Sequence, residues 1–339
     1  MSAAGLCILP VILGAVMVLA TLYGTVSVAP DAVLRILAYN LGFHFIGMHF
    51  SAIDESLVWS IRLPRVVAAA LVGAALGVAG TLFQGVLRNP LADPYVIGTS
   101  AGAQLGVALS LAIPLQFVVL GFGPVQAAAF IGAVATVTFV YWLARTAGRT
   151  PIVTLLLAGF VVSSFLISVT SFVMITTNRV NQVTLWTMGG IDISRYQQLA
   201  FTGPCVLIGV GIATIMAPRL DVILLGEEQA THLGVPVEKV KVAALLLGSL
   251  LTGLAVALAG IVAFVGLVVP HAARLVFGPA HRTLVPAAAI GGAVFVVLVD
   301  LISRTVAAPT EIPLGIMTAV VGAPFFLHLL RRTRQTYDL

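Results

Sequence analysis

"RVVAAALVGAALGVAGTLFQGVL", residues 65–87, carries one charge at its first position and none afterwards. A bilayer core about 30 Å thick needs about 20 predominantly apolar residues to be crossed by a helix. This stretch meets that length, and the chain repeats it many times. Of 339 residues, 60% are hydrophobic and 9% are charged, against roughly 25% charged in a soluble domain. Such a chain cannot present an ordinary wetted surface. The composition therefore predicts an all-α polytopic membrane protein.

Apolar windows give about ten expected transmembrane helices, near 6–28, 65–87, 96–114, 118–143, 152–176, 199–217, 242–261, 262–277, 285–303 and 312–330. The pair within 242–277 is separated only by "LAGIVAF" (258–264). The opening "MSAAGLCILPVILGAVMVLA" lacks the basic residue of a signal peptide's first region and reads as a retained first span. With no long soluble stretch, residues 1–339 are expected to form a single transmembrane domain.

The net charge of +5 and pI near 9.6 do not point to nucleic acid, because the basic residues form no patch and fall at the ends of apolar runs. An even number of spans puts both termini on one side. That side would hold eleven basic residues: Arg88, Arg145, Arg149, Arg219, Lys239, Lys241, Arg274, Arg282, Arg331, Arg332 and Arg334. The opposite side keeps six: Arg35, Arg62, Arg65, Arg179, Arg195 and Arg304. The bias of basic loops toward the cytosol then predicts cytosolic termini. Cys7 and Cys205 lie in apolar stretches and read as buried small hydrophobes, too few for a disulfide framework or a metal set. Glycines four apart, Gly73 with Gly77 and Gly98 with Gly102 and Gly106, predict close helix packing.

One segment breaks the apolar pattern. In "LLGEEQATHLGVP" (224–236), Gly226 can cap a helix whose first turn holds Glu227 and Glu228, where the helix dipole favours acids. Gly234 is placed to end it in a left-handed conformation, and Pro236 blocks continuation. A helix of about two turns is too short to stand alone, so something else must hold it. Its apolar side, Leu225, Ala230 and Leu233, can rest on the membrane domain or on a partner, and a solvated connector is the other reading. The chain has no phosphate-binding loop: its only lysines, Lys239 and Lys241, are each followed by valine. Any ATP-driven step would have its ATP and Mg on another polypeptide, and no cofactor is expected on this one.

"RLPR" (62–65), "GTLFQGVLRNPLADPYVIGTSAGA" (80–103), "LGEEQATHLGV" (225–235), "GIVAFVGLVVPHAARLVFG" (260–278) and "EIPLGIMTAVVGAPFFLHLL" (311–330) follow in order. Together they resemble the permease subunits of type II ATP-binding-cassette importers, the iron-siderophore, heme and cobalamin uptake family. The resemblance implies a ten-helix permease of a bacterial or archaeal inner membrane, working as a homodimer or with a close relative. It implies two cytosolic ATPases below and an extracytoplasmic substrate-binding protein outside. It also implies that Leu225, Gly226, Glu227, Glu228, Ala230, Leu233 and Gly234 form the coupling helix that fits each ATPase. Arg62, Arg65 and Arg304 would pair with acidic residues of the binding protein; arginines at helix ends also snorkel to headgroups without any partner. Asn89 and Leu91 correspond to a cytosolic gate. At its companion turn this chain has Ile152 and Val153, where family members often carry small hydroxyl residues.

Asp300 lies four residues before Arg304, so an ion pair between them is expected. His271 reads as a helix-end hydrogen bonder, and His44 and His49 as part of an interfacial amphipathic segment. The competing class is an ion-driven secondary carrier for a small solute, which would place ionisable groups near mid-membrane; here the mid-span positions are almost free of charge. No HExxH or mid-span acid pair supports an intramembrane enzyme.

Overall fold

The computed structural model describes residues 3–43, 50–146, 148–193 and 196–337. In chain order the helices are α1 (Ala3–Leu22), α2 (Pro30–Asn40), α3 (Ala52–Glu55), a π-helical segment (Ser56–Arg62), α4 (Leu63–Leu87), a 3-10 turn (Pro94–Ile97), α5 (Thr99–Ala112), α6 (Pro124–Ala144), α7 (Ile152–Thr176), α8 (Val180–Thr187), α9 (Tyr196–Leu224), α10 (Glu227–His232), α11 (Val237–Ala259), α12 (Val265–Phe277), α13 (His281–Thr305) and α14 (Leu314–Tyr337). Seven helical stretches are long and apolar enough to cross a membrane, and Val265–Phe277 and Leu314–Leu327 are shorter apolar helices. With α5, each of the ten expected spans has a helical counterpart. The chain is a multi-pass, all-α membrane protein.

Several ends move. The second span begins at Ala52 because α3, the π segment and α4 run on as one helix. Pro64 has no N–H, and its ring would clash with the carbonyl one turn back. The ladder widens just ahead of it, so that Leu63 N bonds Val58 O, five residues away. The fourth span starts at Pro124, since Leu120 and Gly121 take positive φ in a tight Val119–Phe122 turn. α9 and α11 extend past their expected limits to flank α10. Gly260 (φ 64) and Phe264 (φ 68) break the pair at 242–277 into two helices. Two short elements, α2 and α8, carried no apolar window long enough to be read as spans. Cys7 is exposed on α1 rather than buried: α1 lies at the periphery with 11% of its apolar window covered. The histidine segment 44–49 and Arg195 lie outside the described residues.

α4 is the axis of the bundle, flanked by α13, α11, α9 and α12. Lipid tails solvate apolar side chains as well as other helices do, so helix association in a membrane rests on close contact. Glycine supplies that contact. A Cβ on Gly73 would sit 2.0 Å from Gly292 O, one on Gly77 2.3 Å from Ala288 O, and one on Gly80 1.9 Å from Gly266 O. The expected Gly102 and Gly106 pairing also forms, against Gly132 O and Ala128 O of α6 at 2.3 Å and 2.1 Å.

Candidate functional site

Polar side chains gather at the two ends of the bundle. At the α10 end, Gly226 adopts φ 127 before the first turn, with Glu227 and Glu228 inside that turn. Past the last turn, Gly234 (φ 80) donates to Thr231 O at 2.9 Å and Val235 N to Ala230 O at 3.0 Å, a glycine-terminated stop. The apolar side divides: Ala230 is buried against the bundle, whereas Leu225 and Leu233 are 61% and 65% exposed. Beside α10 lies a cleft of about 870 Å³ lined by Arg149, Glu227, Glu228, His232, Glu238 and Lys239 among others.

What holds so short a helix is Lys241, whose side chain is 2% exposed. Its Nζ donates to Glu227 Oε1 at 2.9 Å, to Glu238 Oε1 at 3.1 Å and to Thr150 O at 2.9 Å. Glu238 Oε1 also accepts from Thr150 N at 3.3 Å. The sequence marked Lys241 only as a topology charge; its i+3 spacing from Glu238 was the available signal. A second tie joins the end of α9 to the start of α13, where Asp221 Oδ1 accepts from His281 N at 2.9 Å and lies 2.6 Å from His281 Nδ1. A third joins α4 to α12: Arg274 Nη2 donates to Gln84 Oε1 at 3.1 Å. His271 Nδ1 is buried and finds no partner among the described residues, unlike the hydrogen bonder expected.

The segment "RNPLADP" (88–94) turns the chain at this same end. Arg88 takes φ 49, Asn89 Oδ1 accepts from Leu91 N at 2.9 Å, and Leu91 is 42% exposed. Asp93 Oδ1 caps the 3-10 turn through Tyr95 N at 2.8 Å. Burial pushes the Asp93 carboxyl up to about 6 despite that backbone hydrogen bond. Burial, then the nearby Asp93 charge, also raises the Tyr95 phenol. Tyr95 Oη donates to Val262 O at 3.2 Å, anchoring the turn to the α11–α12 break. α7 packs on this turn through Gly159, where a Cβ would be 3.0 Å from Ile97 Cα. At its start, Ile152 is half-buried and Val153 is 78% exposed.

At the opposite end the three arginines converge. Arg62 Nη1 donates to Thr21 O and Leu22 O at 3.2 Å and 3.1 Å, and Nη2 to Val26 O. Gly24 leaves room for it, since a Cβ there would be 2.9 Å from Arg62 Nε. Arg304 Nη2 donates to Ala20 O at 3.0 Å. Both cap the last turn of α1, where carbonyls lack helical partners and a cation suits the dipole. The expected Asp300–Arg304 pair forms at 3.0 Å. Asp300 also accepts from Arg65 Nε at 3.0 Å, and Arg65 Nη1 reaches Glu311 Oε2 at 2.8 Å. Of the three arginines, Arg62 and Arg304 are buried, while Arg65 stays 18% exposed beside a 470 Å³ recess lined by Trp186, Asp192 and Glu311.

Residues 12–332 match the model of the FecCD transport family. The chain is 44% identical over 278 residues to a cobalamin import system permease protein of Halobacterium salinarum, covering 82% of this chain and 74% of that one. It is 38% identical over 283 residues to a hemin transport system permease protein of Yersinia pestis, covering 82% and 84%. A Fe(3+)-citrate import system permease protein of Bacillus subtilis is also 38% identical over 283 residues, with 83% of each covered. Among solved structures, a metal-chelate type ABC transporter in an inward-facing conformation superposes with a TM-score of 0.83 at 25% identity, over 98% of this chain and 100% of that one.

Proposed function

The chain belongs to the FecCD transport family, and from that premise we propose that it is the membrane subunit of an ATP-driven importer for a large metal chelate. It is a transport permease subunit; hydrolysis takes place on a separate cytosolic ATPase, two copies of which dock at the α10 end. That end is then cytosolic together with both termini, and the arginine end faces the binding protein. A second permease copy completes the pathway, as a homodimer. The single observation that carries the reading is α10: a capped helix clamped to the bundle on one side and presenting Leu225 and Leu233 on the other.

Coupling falls on Leu225, Gly226, Glu227, Glu228, Ala230, Leu233 and Gly234. Glu227 and Ala230 fasten the helix to the bundle; Leu225 and Leu233 meet the ATPase. The cytosolic gate falls on Asn89 and Leu91 with Ile152 and Val153, where the exposed Leu91 and Val153 offer apolar bulk to a closing constriction. At the other end, Arg65 presents the charge that a carboxylate of the binding protein would meet, and Arg62 and Arg304 hold the helix ends behind it. A guanidinium fork suits carboxylate recognition. Asp300 is paired with two arginines at a helix end, the arrangement of a structural ion pair, which weighs against an ion-driven carrier.

The relatives handle cobalamin, hemin and ferric citrate by name; a metal chelate is the chemistry they share. Reconstitution tests the proposal. ATP hydrolysis stimulated by the binding protein is expected only when this chain and the ATPase share a membrane. Accumulation of chelate in vesicles holding this chain alone would overturn it. Affinities of the binding protein for a siderophore, heme and cobalamin then select the cargo.

A further inference from the structure

We propose that Lys241 is the positioning residue that carries the displacement of α10 to the start of α7; this rests on the reading that α10 receives the ATPase. Residues 150 and 227 are far apart along the chain, yet both meet at one buried ammonium. An ammonium has three N–H donors, and all three are used: on Glu227 of α10, on Glu238 of α11 and on the carbonyl of Thr150. Thr150 is gripped at both backbone polar groups, its N–H by Glu238 and its carbonyl by Lys241. The turn it closes is itself tied, Thr146 N to Arg149 O at 2.9 Å and Arg149 N to Thr146 O at 3.0 Å. The next residue is Pro151, and α7 begins at Ile152.

A push on α10 therefore enters the bundle through its covalent ends, through the packing of Ala230 and through Lys241. The covalent route runs through Gly226 into α9 and through Pro236 into α11. The route through Lys241 crosses directly to the turn that begins α7. Among the described contacts, the route through Lys241 leads straight from Glu227 to the residue two before Ile152. The side chain is buried, so removing its charge acts first within this chain; it also frees Glu227, so ATPase affinity is read alongside transport.

The test uses the full complex of this chain, ATPase and binding protein in vesicles, measuring ATPase affinity, hydrolysis rate and chelate moved per ATP. Compared with wild type at saturating ATPase, so that any loosening of α10 is offset, Lys241→Met is expected to lower chelate moved per ATP about tenfold or more. Lys241→Arg, which keeps the charge and donors, restores most of it. Should Lys241→Met not assemble, Glu238→Gln carries the test: it loosens the grip on Thr150 and is expected to lower chelate per ATP in the same direction. Unchanged chelate per ATP in both variants overturns the proposal. Weakened ATPase affinity with normal chelate per ATP in the assembled complexes overturns it too, leaving Lys241 a scaffold for α10. A wild-type chain that fails to bind any ATPase would instead sink the proposed function.

Discussion

The two ends of the bundle both carry charge clusters, and they differ in what the charges hold. At the arginine end, Arg62 and Arg304 are fixed to carbonyls of α1, and Asp300 is 0% exposed between Arg65 and Arg304. Helix ends are joined to one another, and of the five groups Arg62, Arg65, Asp300, Arg304 and Glu311 it is Arg65 and Glu311 that reach the surface. At the α10 end, Lys241 is as buried as the arginines, but its carboxylate partners are not: Glu227 is 36% exposed and Glu238 29%. The piece it holds is a separate short helix with two large apolar side chains facing outward. One end is a closed knot of buried charge and the other a clipped-on short helix, the contrast that the proposed function needs if a binding protein rests on the first and an ATPase pushes the second.

The sharpest way to break this contrast is at Asp300. Asp300→Ala leaves Arg65 and Arg304 without their shared carboxylate, and losing one partner of a buried ion pair costs about 3–5 kcal/mol. The expected outcome is a large drop in folded yield and melting temperature in detergent; a wild-type melt would show that the arginine end is not a structural knot. Leu233→Asp should do the reverse, leaving the melt within about 0.5 kcal/mol as surface changes do and weakening ATPase capture at least about tenfold. Capture on immobilised ATPase reads it directly. Arg65→Glu is predicted to slow binding-protein association at low salt, with the difference shrinking once the Debye length falls to about 3 Å at 1 M salt. Equal association rates at low salt would remove Arg65 from the docking surface.

The smallest effect is a pH dependence. Burial raises the folded pKa of Asp93 to about 6, above the usual carboxyl value of about 3.9. Its contribution to stability is therefore fully present below the unfolded pKa and lost as pH rises through about 6. The melting temperature should rise modestly on acidification across that range, and Asp93→Asn, which can still cap Tyr95 N, should flatten the trend. A slope unaffected by that substitution would assign it to other groups.

Much of this architecture was legible in the sequence, because membrane spans declare themselves by length and apolarity. Gly226, Gly234 and Pro236 announced α10 through backbone rules that need no tertiary context. The glycine steps at 73–77 and 98–106 announced contact but not the partner helix, since that is decided by which carbonyl lies opposite. Lys241 was misjudged for a physical reason: a lysine at the mouth of a span is usually a lipid-facing topology signal. Only the fold shows that Thr150, Glu227 and Glu238 converge on it. Arg62 and Arg304 were read as reaching outward, and their burial depends on where the last turn of α1 falls, which local sequence does not encode.

The widened turn at Ser56–Arg62 has a consequence for how this protein can vary. A five-residue hydrogen-bond step stores one surplus amino acid in an otherwise regular rod. Removing a single residue there would restore ordinary winding, swing Trp59 and its neighbours by roughly 100° about the axis, and leave everything beyond Pro64 in register. Length variation among relatives should therefore be tolerated at that one level, reshaping the rim of the bundle while sparing the glycine seam beneath it.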